Sequence, residues 1–143
     1  MTMQAAEISM SGLDIEWQRL QVIAQNLANI NTTRTAEGDV YRPMQLVSGP
    51  KARFDTMLSE RRAEQLQGVE VYGIEAQRSA VRRVHEPTHP HADEAGFVSY
   101  PDIDHARQMT GMIRTSRAYE ANLVAMNLAL QMNARALDLG RQL

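Results

Sequence analysis

The sequence contains no cysteine, which excludes a disulfide framework, a thiol nucleophile and thiolate metal ligands. That absence suits the cytosol and equally a protein exported unfolded and stabilised by its neighbours, so it does not choose a compartment. The net charge of −2 leaves no electrostatic footprint for nucleic acid. No apolar run approaches the roughly 18 residues of a membrane span. A basic n-region followed by a continuous apolar stretch is missing at the N-terminus, so no cleaved secretory signal is expected. Lys51 is the only lysine beside fourteen arginines. Arginine's planar fork suits ordered interfaces, and genomic base composition produces the same bias. There is no GxSxG and no phosphate-cradling glycine loop, and catalysis is not expected.

What is present is apolar periodicity at both ends of the 143 residues, with 43% hydrophobic content typical of globular chains. Ala6, Met10, Leu13, Trp17, Leu20, Ala24 and Leu27 recur at spacings of four and three, placing them on one side of a helix. Ile8, Ile15 and Val22 lie seven apart on a second side, and a helix apolar on two sides needs two neighbours. The spacing predicts this helix over about Met3 to Ile30, with Thr2 or Ser9 as its cap and Asn29 or Asn31 as its exit. Met109, Met112, Ser116, Tyr119, Leu123, Met126, Leu130, Asn133 and Leu137 form a second stripe. Its helix is expected to begin near Pro101 to Asp104 and to end about Leu139, capped by Gly140. Some 36 residues at a rise of about 1.5 Å span roughly 54 Å, more than the middle of the chain can cover. Part of that helix must protrude or pair with the first. The small core left over is marginal alone.

The expected fold class is therefore mainly α with a small β insert. The division is residues 1–33 as an N-terminal axial helix, 34–100 as a β-rich or loop region and 101–143 as a C-terminal axial helix. In the middle, Gly68 to Ala76 alternates as a strand with a bulge or bend at Gly73. Val81 to Val84 and Phe97 to Tyr100 are further strands of one small antiparallel sheet, with turns at Gln77 to Ala80 and Glu86 to Gly96. Tyr41, Arg42 and Pro43 could add an edge strand, since proline forbids a central position. Lys51 to Gln67 fits a short helix or a mobile loop.

One cluster resembles metal chemistry. His85, His89, His91 and Asp93 fall within nine residues, with His105 nearby, and imidazole with carboxylate is a zinc ligand set. Pro87 and Pro90 intervene, however, so no helical i, i+4 pair preorganises two imidazoles. A proline-stiffened surface loop is the plainer reading, and no metal or cofactor is expected.

Ser11-Gly12-Leu13 and Val22 to Thr32 closely resemble the N-terminal signature of the bacterial flagellar rod, hook and related axial proteins. Met109 to Asn122, above all Ser116-Arg117-Ala118-Tyr119-Glu120-Ala121-Asn122, is similar to the matching C-terminal signature. Gly68 to Val71, Glu86 to Asp93, Gly96 to Val98 and Pro101 resemble the middle of its proximal-rod branch. Gln25, His85 and the pair Arg107-Gln108 depart from the usual pattern, the last replacing a more acidic approach. The resemblance implies a structural subunit of the proximal rod, a drive shaft transmitting motor torque. It implies terminal helices that form a coiled-coil-like axial core in a hetero-oligomeric helical assembly, with His89, Pro90 and Asp93 in a structural loop. Implied partners are other rod proteins, the adaptor joining the rod to the membrane ring and the type III export apparatus, with final location in the periplasmic space. Leu13, Trp17, Leu20, Leu27, Tyr119, Leu123, Met126 and Leu130 are the expected packing residues. Asn26 and Asn29 are expected to satisfy backbone groups where helix becomes loop. A helical adaptor or chaperone-like binding module is the alternative, and a metal-dependent enzyme on the histidine loop a distant third.

Overall fold

The structure, a computed structural model, describes residues 2–51, 68–78 and 81–141. Helix α1 spans Thr2–Ala28 and helix α2 His105–Arg141, and between them lie strands β1 (Met44–Pro50), β2 (Val69–Ala76), β3 (Val81–His85) and β4 (Phe97–Pro101). The α+β class expected from periodicity is the class observed. The ambiguous segment after Lys51 and the end of the Gln77 to Ala80 turn fall outside the described residues.

Local chemistry sets the helix ends. Asn29 donates both its N–H (3.1 Å) and its side-chain Nδ2 (2.9 Å) to the Gln25 carbonyl, and its Oδ1 accepts from Thr32 Oγ1 at 3.0 Å. These bonds hold the chain as it leaves α1. Ser9 is no cap: it lies inside the helix and its hydroxyl donates back to Ala5 O at 3.1 Å. Asp104 caps α2, its Oδ1 accepting from Arg107 N at 3.1 Å, as the aspartates of that segment suggest. Gly140 does not end α2. Without a left-handed φ it stays helical and the helix continues to Arg141.

The helices run antiparallel. Gly12 lies opposite Asn122, Trp17 meets Tyr119, and Ile23 reaches Gly111. A Cβ on Gly12 would sit 2.9 Å from Asn122 Nδ2, so the bare backbone is what permits this approach.

The strands form two separate two-stranded antiparallel sheets, β1 with β2 and β3 with β4, instead of the single sheet expected. The proposed edge strand at Tyr41 to Pro43 is also displaced. Those residues lead into β1, whose Ser48-Gly49-Pro50 ending reads in sequence as a turn. The bulge appears where Gly73 suggested it: Val47 pairs with Gly73 and Ser48 with Val71, leaving Tyr72 as the extra residue. Its ring lies over Gly49, and its hydroxyl donates to Pro50 O at 2.7 Å.

The β1–β2 hairpin packs on the second apolar side of α1. Ile15, Val22 and Leu46 form a buried cluster joined by Met44 and Val71. Three polar anchors flank it on the same stripe of α1. Val69 N donates to Ser11 Oγ at 3.1 Å, Arg19 Nη2 donates to Ser48 Oγ at 2.9 Å, and Asn26 grips Met44. From Ser11 to Asn26 the helix rises about 22 Å, and the six steps from Met44 to Pro50 cover about 20 Å. Helix and strand therefore match in length, which lets both ends be tied at once.

Candidate functional site

Asn26 is the most constrained polar side chain of the helices, with 2% of its surface exposed. Its Nδ2 donates to Met44 O and its Oδ1 accepts from Met44 N, both at 2.8 Å, while Tyr41 Oη donates to Oδ1 at 3.0 Å. A primary amide presents one donor and one acceptor side by side, so it replaces a neighbouring strand for one residue. Burial raises the Tyr41 phenol above its ordinary pKa. Ser11 and Arg19, which hold the other points of the hairpin, escape a scan for apolar periodicity. Their spacing from Asn26, fifteen and seven residues, is the helical signal that finds them.

The other expected packing residues divide between two surroundings. Leu13 is buried, and Leu20, Leu27, Asn29, Tyr119 and Met126 are half-buried. The rings of Trp17 and Tyr119 stand 6.4 Å apart and tilted by 48°, yet Trp17 remains 55% exposed. Leu123 and Leu130 are 38% and 46% exposed.

On α2 the face buried against its own chain is not the expected apolar stripe. Gly111, Thr115, Ala118, Asn122, Met126 and Ala129 follow the 3,4 rhythm and carry the partly or fully buried positions. Met112, Ser116, Tyr119 and Asn133 are half-buried at its margin, and Met109, Leu123, Leu130 and Leu137 point outward. Small residues win because they let two helices approach closely, whereas leucines in the same seam would hold them apart. The large side chains are displaced to the flanks and back of the helix. Val124, Leu128, Leu130, Met132, Leu137 and Leu139 are between 46% and 65% exposed, and on α1 Met3 and Met10 are each 57% exposed. At about 100° per residue Val124, Leu128, Met132 and Leu139 share one side of α2 and Leu123, Leu130 and Leu137 another, and exposed apolar side chains in such number mark places where another molecule binds.

The histidine loop is built for shape. Asp93 Oδ1 accepts from Ala95 N (3.0 Å) and Phe97 N (2.8 Å), and its Oδ2 accepts from the Arg83 guanidinium. The Phe97 bond foremost, helped by the Arg83 charge, holds the Asp93 carboxyl below the usual range. Gly96 closes the turn at φ +78°. His89 Nδ1 accepts from His91 N at 3.0 Å, and His91 Nδ1 meets Thr33 Oγ1 at 2.8 Å. Tyr100 Oη donates to Glu86 Oε2 at 2.9 Å, and that bond raises the phenol's pKa. Among the described residues no three histidine or carboxylate side chains gather as a metal-holding group. No described helix is long and apolar enough to cross a membrane.

Comparison with known proteins agrees with this layout. Residues 7–34 match the family described as flagella basal body rod protein. Residues 94–139 match the C-terminal family of the flagellar basal body rod FlgEFG proteins. The chain is similar to the flagellar basal-body rod protein FlgC of Borreliella burgdorferi, at 32% identity with 91% of each chain covered. It is similar also to those of Bacillus subtilis (30%; 94% of this chain, 95% of the relative) and Salmonella typhimurium (31%; 94% and 95%).

Proposed function

The chain belongs to the FlgC family of flagellar basal-body rod proteins, and from that premise we propose that its two terminal helices form the subunit's axial contacts in the proximal rod. The relatives' names favour a structural rod subunit over a helical adaptor, and they are structural proteins of the basal body. In this reading α1 and α2 enter a tube of packed helices around a common axis. Torque passes from subunit to subunit through that packing. The subunit reaches the periplasmic space through the type III export apparatus, without a cleaved signal, and contacts other rod proteins and the adaptor at the membrane ring.

The single observation that carries this reading is the set of exposed apolar side chains on two sides of α2, from Leu123 to Leu139. Covering them removes apolar area from water at about 25 cal/mol per Å². A contact between unlike surfaces that does not close generates a helical assembly. Replacing Leu123 with aspartate places an unpaired carboxylate in that seam. We expect Leu123→Asp to be synthesised and exported at normal levels but to yield no rods and no swimming, read by electron microscopy of basal bodies and by a motility assay. Normal rods from this variant would count against the axial role of α2.

A further inference from the structure

A groove of about 380 Å³ runs between β1 and α2 with α1 as its floor. Met44, Gln45 and Leu46 form one wall, and Arg107, Gly111 and Arg114 stand on the other. Arg19 also lines it but is occupied, paired with Glu16 at 3.3 Å and bonded to Ser48. Arg107 and Arg114 are exposed and make no ion pair among the described residues. They lie seven positions apart, on one side of α2.

The β1 wall is a strand edge that no other described strand pairs with. Pro43 O accepts from Gln77 N at 2.8 Å on the β2 side, so alternation turns the N–H and C=O of Met44 and Leu46 to the opposite edge. Asn26 closes this edge at Met44. Leu46 has no such side-chain cap among the described residues.

From these features we infer that the groove receives an extended, acidic segment of a neighbouring rod subunit, its backbone paired at Leu46 and its carboxylates on Arg107 and Arg114. The neighbour's identity as a rod subunit rests on the function proposed above. An extended chain adds at about 4.8 Å from a strand edge. Arg107 and Arg114 are about 10 Å apart along α2. An extended chain covers that distance in about three residues, so two carboxylates two to four positions apart reach both guanidinium groups. Bidentate arginine–carboxylate pairing supplies the selection for acid, and the Asn26 cap stops the added segment at Met44.

The test places a photo-crosslinking amino acid at Gln45, at Gln108 or, as a control on the axial surface, at Val124, in the full-length protein within purified basal bodies. Crosslinked peptides are identified by mass spectrometry. The inference requires that Gln45 and Gln108 capture the same segment, with at least two acidic residues within four positions. It also requires that the double substitution Arg107→Glu with Arg114→Glu lower the yield at Gln45 by about tenfold while Val124 crosslinks persist. Capture of a helical segment, of a segment without acidic residues, of different segments at the two positions, or of nothing at either would overturn it. Axial neighbours captured at Val124 in those rods leave the proposed function standing even then. Failure at Val124 strikes that reading instead.

Discussion

At the scale of single residues, Asn26 concentrates the most consequence in the least surface. Its two bonds to Met44 and one from Tyr41 serve groups that have no alternative partner at a position shielded from water. Asn26→Ala should destabilise the isolated subunit by about 2–4 kcal/mol, measured by urea unfolding, because it leaves both backbone groups of Met44 unpaired. Asp93 is a surface counterpart with a pH signature. Its carboxyl is held below the ordinary 3.8, so its contribution to folding is complete above that value and is lost as pH falls from there through the lowered native value. The protection factors at Ala95 and Phe97, exchange corrected for the intrinsic rate at each pH, should therefore fall as the pH is lowered from about 5 to about 2, and Asp93→Asn should remove that dependence. The aspartate's place in a shaped turn was implied by family resemblance. Its bond partners depend on how the chain closes between β3 and β4, which no spacing rule specifies.

At the scale of elements, what was legible follows from period. Both helices, three of the four strands and the bulge beside Gly73 were readable because burial of one face imposes 3.6 or 2 on the sequence. β1 was not readable, since Ser48-Gly49-Pro50 carries turn residues that serve here to admit the Tyr72 ring and end the ladder. The division of the strands into two sheets was equally hidden, because pairing partners are a tertiary choice. The seam of α2 escaped for a different reason: glycine, threonine, alanine and asparagine score poorly as core yet pack helices most closely. Gly12→Ala tests that seam. Alone it gains up to about 1 kcal/mol of helix propensity but drives its methyl into Asn122, whose amide is bonded to Ala118 O at 3.0 Å. The net change should be near zero or destabilising, and combining it with Asn122→Ala should recover a gain in thermal unfolding. Additivity of the two substitutions would mean that the helices are not in contact there.

At the scale of the whole molecule, the chain supports its own helices unevenly. With Gly12 opposite Asn122, the first residues of α1 fall opposite positions near 132, so the last turns of α2 run past the end of their companion. In dilute monomer, amide protection should be strong in α1 between Ile15 and Asn26 and in α2 through Ala129, then fall steeply after Asn133. Equal protection to the end of α2 would show that the overhang needs no neighbour. The three ties between α1 and the first hairpin carry a broader consequence. Ser11, Arg19 and Asn26 meet their strand partners only while the helix keeps one angular phase, since each residue advances it by about 100°. One added or deleted residue between Ser11 and Asn26 throws the two ends out of step, like a key cut with one tooth too many. The orientation of the β1–β2 pair is thereby indexed to the rotation of α1. Under the axial arrangement proposed above, a subunit whose α1 is correctly seated in the shaft would present its strands at a fixed azimuth.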